Sequence, residues 1–169
     1  MKKAFLLFLF TVSVVSKAQA ASVFASSGVY GYVAVSGGQT IRTNDYDKNR
    51  AHSVYAVSTG LGIPFVRLEE QLLTIDRHRD DPDNSRRMHA VFTNVLLGEI
   101  VYAGVGWGYG EWSDSVTDVY QFIGGAEIPL GPYFRVGGEY HSIYSRKEPS
   151  DLPRRFKAQV FMGRLTVNF

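Results

Sequence analysis

The side chains best suited to chemistry are carboxylates and guanidinium groups that recur at alternate positions within short apolar segments. Arg67 and Glu69 flank Leu68, and His141 follows Glu139 at the same spacing. Because residues two apart lie on one face of a β-strand, such groups can converge on a common interior. Carboxylates there could relay protons or act as general acids and bases, whereas carboxylates paired with arginines form a structural ion-pair core.

We expect the structural arrangement, because buried charges in a narrow interior must be paired and hydrogen-bonded. The charged candidates are balanced, with three arginines against three glutamates. The complete candidate set contains Arg67, Glu69, Gln71, Asn94, Gln121, Glu127, Arg135, Glu139, His141 and Arg164. A proton path, a solute path or a catalytic carboxylate is the alternative interpretation of the same residues.

His141 and Ser142, with Glu139 and Ser145 nearby, are the strongest candidates for nucleophilic catalysis. A serine hydrolase needs its Ser and His side chains on the same face, within hydrogen-bond reach. Adjacent strand residues point to opposite faces, so His141 and Ser142 are not expected to be partners. We therefore predict no catalytic site and no enzyme activity.

Two further patterns superficially resemble ligand sites. The segment Asp76–Asp83 contains four aspartates and one histidine, but it lacks the turn-forming Gly and the terminal Glu of a calcium loop. The segment Gly104–Gly110 has glycine at every second position, and no helix is predicted after it, unlike a phosphate-binding loop. We expect no metal and no cofactor, and we expect these glycines to make room for Tyr30, Tyr32 and Phe156.

The first twenty residues have the pattern of a secretory signal peptide. Two lysines precede the apolar run Ala4–Val15, and Ala18-Gln19-Ala20 supplies an A-x-A cleavage pattern. We predict a signal peptide at residues 1–20 and one mature domain at residues 21–169. Cleavage would remove three lysines and no acid, leaving a nearly neutral chain, so no nucleic-acid partner is expected. The absence of cysteine excludes a disulfide framework.

Eight segments of the mature chain alternate apolar and polar residues with the period of a β-strand. The fifth begins after Glu99 and includes the glycine-alternating run to Gly110. The other seven segments are Gly28–Ser36, His52–Leu61, Phe65–Ile75, Met88–Leu97, Val119–Ile128, Tyr133–Tyr144 and Arg155–Phe169.

The links between these segments alternate in length. Short links follow segments two, four and six, at Gly62–Pro64, Gly98–Ile100 and Pro129–Pro132. Longer, charged links follow the other segments, at residues 37–50, 76–87, 111–118 and 145–154. Outer-membrane barrels have short turns on one side, long loops on the other and an even number of strands.

The sequence thus predicts an eight-stranded antiparallel transmembrane β-barrel with both termini on the periplasmic side. A soluble lipocalin-like barrel or a β-sandwich is the competing fold. We disfavour it because the expected outer faces carry Val, Trp, Tyr, Phe and Leu. Glu70 conflicts with this pattern, since strict alternation points it outward. A β-bulge or a position near the membrane interface would remove the conflict.

The mature chain resembles the small eight-stranded outer-membrane barrels of Gram-negative bacteria, the opacity-type and OmpX-like surface proteins. The resemblance rests on Arg67-Leu68-Glu69, Asn94, the strand Gly104–Gly110 and the terminal Val167-Asn168-Phe169. It implies that Phe169 is a targeting residue read by the barrel-assembly machinery, and that outer-membrane lipids and lipopolysaccharide are partners. Lipid A deacylases on such barrels carry an H-x-S motif, whereas residue 143 here is Ile.

For function, the resemblance implies a non-enzymatic barrel in the cell outer membrane with a structural or surface-interaction role. Envelope integrity, adhesion and contact with a host or the environment through the four longer loops are all compatible with it. The alternative is a lipid-acting barrel enzyme, which would need a nucleophile and a base on one face near the extracellular rim. Fold alone does not choose between these functions.

Overall fold

The computed structural model describes residues 28–43, 51–76, 87–112, 115–146 and 156–169. Eight antiparallel strands each pair with the next strand in the chain, and the last pairs with the first, which closes a barrel. The strands are β1 (Tyr30–Thr43), β2 (Ser53–Ile63), β3 (Val66–Ile75), β4 (Met88–Gly98), β5 (Val101–Trp112), β6 (Ser115–Pro129), β7 (Phe134–Ser145) and β8 (Lys157–Asn168). In this part of the chain, no helix is long and apolar enough to cross a membrane.

The predicted fold class, an eight-stranded antiparallel barrel, is confirmed. On each strand, buried residues alternate with residues on the outer surface, as the period of two requires. On β8, for example, Phe161 and Leu165 are exposed whereas Met162 and Arg164 are buried. The predicted signal peptide, residues 1–20, lies outside the described residues.

The two ends of the barrel differ. We call the end that carries Tyr30 and Asn168 the terminal end, and the opposite end the loop end. At the terminal end the strands are joined by the short links 64–65, 99–100 and 130–133. Gly98, the last residue of β4, precedes the second link and has φ +119°; a Cβ there would lie 2.1 Å from the Val101 carbonyl oxygen, so only glycine fits.

Two of the predicted long links are shorter than expected, because strand pairing continues past the apolar alternation. β1 extends into the predicted link 37–50 and ends at Thr43, which pairs with Ala158 of β8. A β-bulge between Thr40 and Arg42 shifts the register of this pairing. Main-chain hydrogen bonds do not depend on side-chain polarity, so the ladder persists where the outer face becomes polar. The predicted link 111–118 likewise lies largely within β5 and β6.

The remaining parts of the predicted loops, residues 44–50, 77–86, 113–114 and 147–155, lie outside the described residues. The bulge proposed for Glu70 is wrong, because β3 pairs with β2 and β4 without any register shift. Glu70 therefore keeps the outward direction that strict alternation assigns to it, with Thr59 and Thr93 as its partners in register.

Candidate functional site: the polar interior

Arg164 of β8 is the centre of a cluster of buried charges inside the terminal half of the barrel. Its Nη1 lies 2.9 Å from Glu139 Oε2, its Nη2 is bonded to Glu69 Oε2, and its Nε lies 3.3 Å from Glu127 Oε1. Each of the three glutamates comes from a different strand. One guanidinium group therefore ties four strands together through ion pairs, and the pairs with Glu69 and Glu139 are also charge-assisted hydrogen bonds.

Arg67 of β3 supplies the second guanidinium group of this cluster. Its Nη1 lies 2.6 Å from Glu127 Oε2. The guanidinium carbon is 4.2 Å from the ring centroid of Tyr102 and 6.0 Å from that of Tyr32. The arginine is thus held by one ion pair and by two aromatic rings, a placement that suits the flat guanidinium group.

Hydroxyl groups donate further hydrogen bonds to the carboxylates of the cluster. The Tyr32 hydroxyl donates to Glu69 at 3.1 Å, and the Tyr102 hydroxyl donates to Glu139 at 3.2 Å. Ser36 Oγ donates to the other Glu139 oxygen at 2.7 Å. Buried carboxylates need such partners, because an unpaired buried charge is costly.

A layer of amides continues the cluster toward the loop end. Asn94 Nδ2 donates to Glu69 at 3.1 Å, and Gln121 Nε2 donates to Asn94 Oδ1 and to Gln71 Oε1, both at 2.9 Å. His141 Nδ1 lies 2.9 Å from Gln121 Oε1, and its Nε2 lies 3.5 Å from Glu139 Oε2. Together the contacts form a closed ring of polar groups, in the order Glu139, Arg164, Glu69, Asn94, Gln121, His141 and again Glu139.

The structure thus brings nine of the ten candidate residues into one buried network, in which each is at most 2 % exposed. Arg135 is the exception. It shares a register position with Thr166 and lies half-buried at the terminal mouth, with its guanidinium carbon 5.9 Å from the Tyr30 ring centroid. Among the described residues no ion pair reaches it.

An apolar cluster fills the interior on the loop side of the polar network, a feature that the sequence analysis missed. The cluster contains Val54, Ala56, Leu73, Ile75, Met88, Ala90, Phe92, Val119, Ile143, Phe156, Ala158, Val160 and Met162, all at most 5 % exposed. We call this cluster the apolar plug. The unbroken apolar run Leu72–Leu73 before Ile75, where both faces of β3 are apolar, was the available signal. The plug therefore separates the polar network from buried polar residues nearer the loop end, such as His52 and Ser145.

The glycines of β5 make room for different neighbours than expected. A Cβ on Gly106 would lie 1.9 Å from Asn94 Oδ1, and one on Gly104 would lie 2.4 Å from the Val95 carbonyl oxygen. The expected neighbour Phe156 belongs to the apolar plug, and Tyr32 instead lies against Gly60. Glycine at position 106 therefore leaves space for the amide layer.

The outer face carries a separate polar pair near the loop end. Thr74 Oγ1 lies 3.1 Å from His89 Nδ1, on adjacent strands and in register. Glu111 is the register partner of His89 on β5. By contrast, His141 and Ser142 lie on opposite faces, and Ser142 donates to the Tyr144 hydroxyl at 2.9 Å.

Comparison with known proteins identifies relatives by structure only. No protein-family model and no curated protein matches the chain. Neisserial surface protein A (NspA) superimposes with a TM-score of 0.66 and 11 % identity, covering 84 % of this chain and 97 % of that one. Ail, the attachment invasion locus protein of Yersinia pestis, was solved in complex with the heparin analogue sucrose octasulfate. It superimposes with a TM-score of 0.55 and 12 % identity, covering 83 % of this chain and 99 % of that one. The fold of the chain is therefore that of the small eight-stranded outer-membrane barrels.

Proposed function

We propose that the chain is a non-enzymatic barrel of the outer membrane that holds surface loops at the cell exterior. The observation that carries this proposal is the polarity of the barrel, which is reversed relative to a soluble protein. Five charged residues of the ion-pair network are buried inside, whereas the outer surface exposes large apolar side chains on every strand. A soluble barrel with this surface would aggregate, but lipid covers it without cost.

The outer aromatic residues support the same location. Such residues are enriched where the hydrocarbon meets the headgroups. Near the terminal end the exposed aromatics are Phe65, Tyr133, Phe134 and Phe169, and toward the loop end they are Tyr55, Trp107, Tyr109 and Tyr120. Even the shortest strand, β3, has ten residues, and a tilted strand needs about 9–11 to cross the hydrocarbon.

Epitope insertion tests the location and the orientation. A tag inserted between residues 47 and 48 should be labelled by antibody on intact cells, because this segment follows β1 at the loop end. A tag between Glu99 and Ile100, at the terminal end, should be labelled only after the outer membrane is permeabilised. Recovery of both proteins in the soluble periplasmic fraction would contradict the membrane location.

For the surface role, we propose contact with anionic polymers through the loop end. Arg87 and Arg146 are exposed there, where Arg87 pairs with Asp76 at 2.9 Å and Arg146 pairs with Asp118 at 3.7 Å. Arginine binds phosphate and sulfate groups well, so lipopolysaccharide and sulfated glycans are candidate partners. The heparin analogue bound by the structural neighbour Ail motivates the same choice of ligand.

Heparin-coated beads provide the probe for this role. Cells that display the chain should bind the beads more strongly than cells without it, and Arg87→Gln together with Arg146→Gln should reduce binding. The matched control is Arg135→Gln, which alters a cation at the opposite end of the barrel. Equal binding with and without the protein would exclude this surface role.

A second candidate function, a lipid-acting enzyme, is favoured by the Thr74–His89 pair. The pair has a hydroxyl and an imidazole on one outer face near the loop end. Acyl transfer also needs donors for an oxyanion, and strand pairing continues through Ile75 and Met88 beside this pair. Mass spectrometry of lipid A from cells with and without the gene decides the question. We expect identical acyl chains, and a difference that His89→Ala abolishes would establish the enzyme instead.

A further inference from the structure

Glu70 is a carboxylate on the outer wall of the barrel at mid-height. It lies four residues from the start of β3 at Val66 and five from its end at Ile75. Its side chain alternates with the buried Glu69 and Gln71 and is half-buried on the outer face. If the barrel spans the membrane as proposed above, Glu70 is placed near the middle of the hydrocarbon.

The neighbours of Glu70 do not satisfy its carboxyl group. In the described part of the chain, no hydrogen bond or ion pair reaches it, and the adjacent Thr59 directs its hydroxyl to the Tyr32 carbonyl at 3.3 Å. A polar group in the hydrocarbon needs hydrogen-bond partners, because no water is available there. Ionisable residues at membrane depth are accordingly found paired with other polar or charged groups. None of the described residues supplies such a partner to Glu70, so we look for it in another molecule.

We propose that a second copy of the chain supplies this partner, so that the wall around Glu70 is a dimer interface in the membrane. The inference rests on the proposed membrane location. A neutral carboxyl group has one donor and one acceptor, so two copies of it can satisfy each other. A two-fold interface requires such self-complementary groups, because a residue near the axis faces itself.

The surface around Glu70 is suited to close approach. Leu68 and Leu72 stand above and below it on β3, and Val57 and Val91 flank Leu72 on the neighbouring strands. These side chains are short and aliphatic, whereas Trp107, Phe122, Tyr140 and Phe161 lie on β5 to β8, and Tyr55 of β2 lies nearer the loop end, in register with Thr74. Thr59 and Thr93 flank Glu70 laterally, so a small polar centre lies among these aliphatic side chains. Buried polar residues in an apolar seam specify pairing in helical oligomers in a similar way.

The alternative partner is a different membrane protein that places a cation at this depth. Substitutions at Glu70 distinguish this partner from a second copy of the chain. Paired carboxyl groups can be replaced by paired amides, since Gln also carries a donor and an acceptor. An ion pair with a cation cannot be replaced in this way. Glu70→Gln and Glu70→Leu therefore separate the two arrangements.

The test is Förster transfer between labelled copies of the full mature chain reconstituted in phosphatidylcholine vesicles across a range of protein-to-lipid ratios. Barrel insertion is first checked by resistance to protease and to cold detergent, so that failure to insert is recognised as failure of the proposed membrane location. We expect dimers for the unaltered chain and for Glu70→Gln. For Glu70→Leu we expect the association constant to fall about three- to tenfold, as for other hydrogen bonds between membrane segments.

The matched control is Phe122→Leu, a change at an outer residue on the opposite wall, which should leave association unchanged. An inserted chain that stays monomeric at every ratio would overturn the proposal, and so would Glu70→Leu associating as strongly as the unaltered chain. If the unaltered chain associates and Glu70→Gln abolishes that association, the proposed hydrogen-bonded pair of carboxyl groups at the two-fold axis is overturned.

Discussion

At the scale of single residues, the interior is organised around Arg164. Its guanidinium group contacts the carboxylates of Glu69, Glu127 and Glu139, whereas Arg67 forms an ion pair with only one of these three, Glu127. Three carboxylates thus share two guanidinium groups, and His141 stands beside Glu139 at 3.5 Å. Loss of the central cation would leave the buried carboxylates of Glu69 and Glu139 without an arginine partner.

Arg164→Met should therefore destabilise the barrel strongly. Removing one partner of a buried ion pair costs about 3–5 kcal/mol, because the other charge stays buried. The measurement is urea unfolding of the protein refolded in detergent micelles. Arg135→Met is the control, since Arg135 is half-buried and contacts only an aromatic ring among the described residues, and it should cost less than about 1 kcal/mol. Equal losses would show that the ion pairs do not hold the interior together.

Gly106→Ala tests the space that β5 leaves for the amide layer. The added Cβ would lie 1.9 Å from Asn94 Oδ1, so Asn94 must move away from Gln121. We expect a loss of about 1–3 kcal/mol in unfolding free energy, typical of an overpacked interior. Gly124→Ala is the matched control, because a Cβ there meets no atom within 4 Å. A stable Gly106→Ala variant would mean that the amide layer rearranges freely.

At the scale of the strands, the seam between β1 and β8 closes the barrel. Two main-chain hydrogen bonds of 2.9 Å join Gly31 to Phe169, and a Cβ on Gly31 would lie 2.7 Å from the Phe169 ring. Phe169 itself is about half-exposed, at 46 %. Its ring thus packs at the rim, beyond the last ladder pair, and contributes little to the interior.

Deletion of Phe169 should lower insertion in cells far more than it lowers stability. Full burial of such a side chain is worth about 1.5–3 kcal/mol, and Phe169 is only partly covered, so the folded barrel should survive. The measurement compares outer-membrane abundance with urea unfolding of the same variant refolded in detergent. Normal abundance in cells would show that Phe169 is ordinary rim packing and not a signal for the assembly machinery.

At the scale of the whole molecule, the barrel interior consists of two layers. The ion-pair network occupies the terminal half, and the apolar plug lies directly on its loop side. Eight-stranded barrels are narrow enough for side chains to fill them. Ions would have to displace packed apolar side chains such as Phe92 and Met162, both at 0 % exposure.

The reconstituted protein should therefore show no channel activity. We expect no current steps in planar lipid bilayers, with a porin as the positive control for insertion and detection. Arg164→Met should also be non-conducting, because the apolar plug is independent of the charged cluster. Steady single-channel currents from the unaltered chain would contradict the sealed interior and revive the solute-path interpretation of the polar residues.

Local patterns were sufficient to predict the strands and the direction of most side chains. The eight strands, the outward Trp107 and Phe161 and the buried Glu69 all follow from a period of two and from short turn-forming links. Strand ends were less predictable, since β1 reaches Thr43 through pairing with β8 and not through its own apolar pattern. A residue's face is a property of its own strand, but the end of a strand depends on the neighbour that pairs with it.

Only the tertiary structure decided which interior residues meet. Arg164 and Glu69 are 95 residues apart in the chain, and Ser36 and Glu139 are 103 apart. Their contacts depend on the closure of β8 onto β1 and on the register of every intervening pair, which no local pattern determines. The same register leaves Arg135 at the mouth, outside the ion pairs. The sequence therefore determined which side chains point inward, whereas the closed ladder determined their height and so their partners.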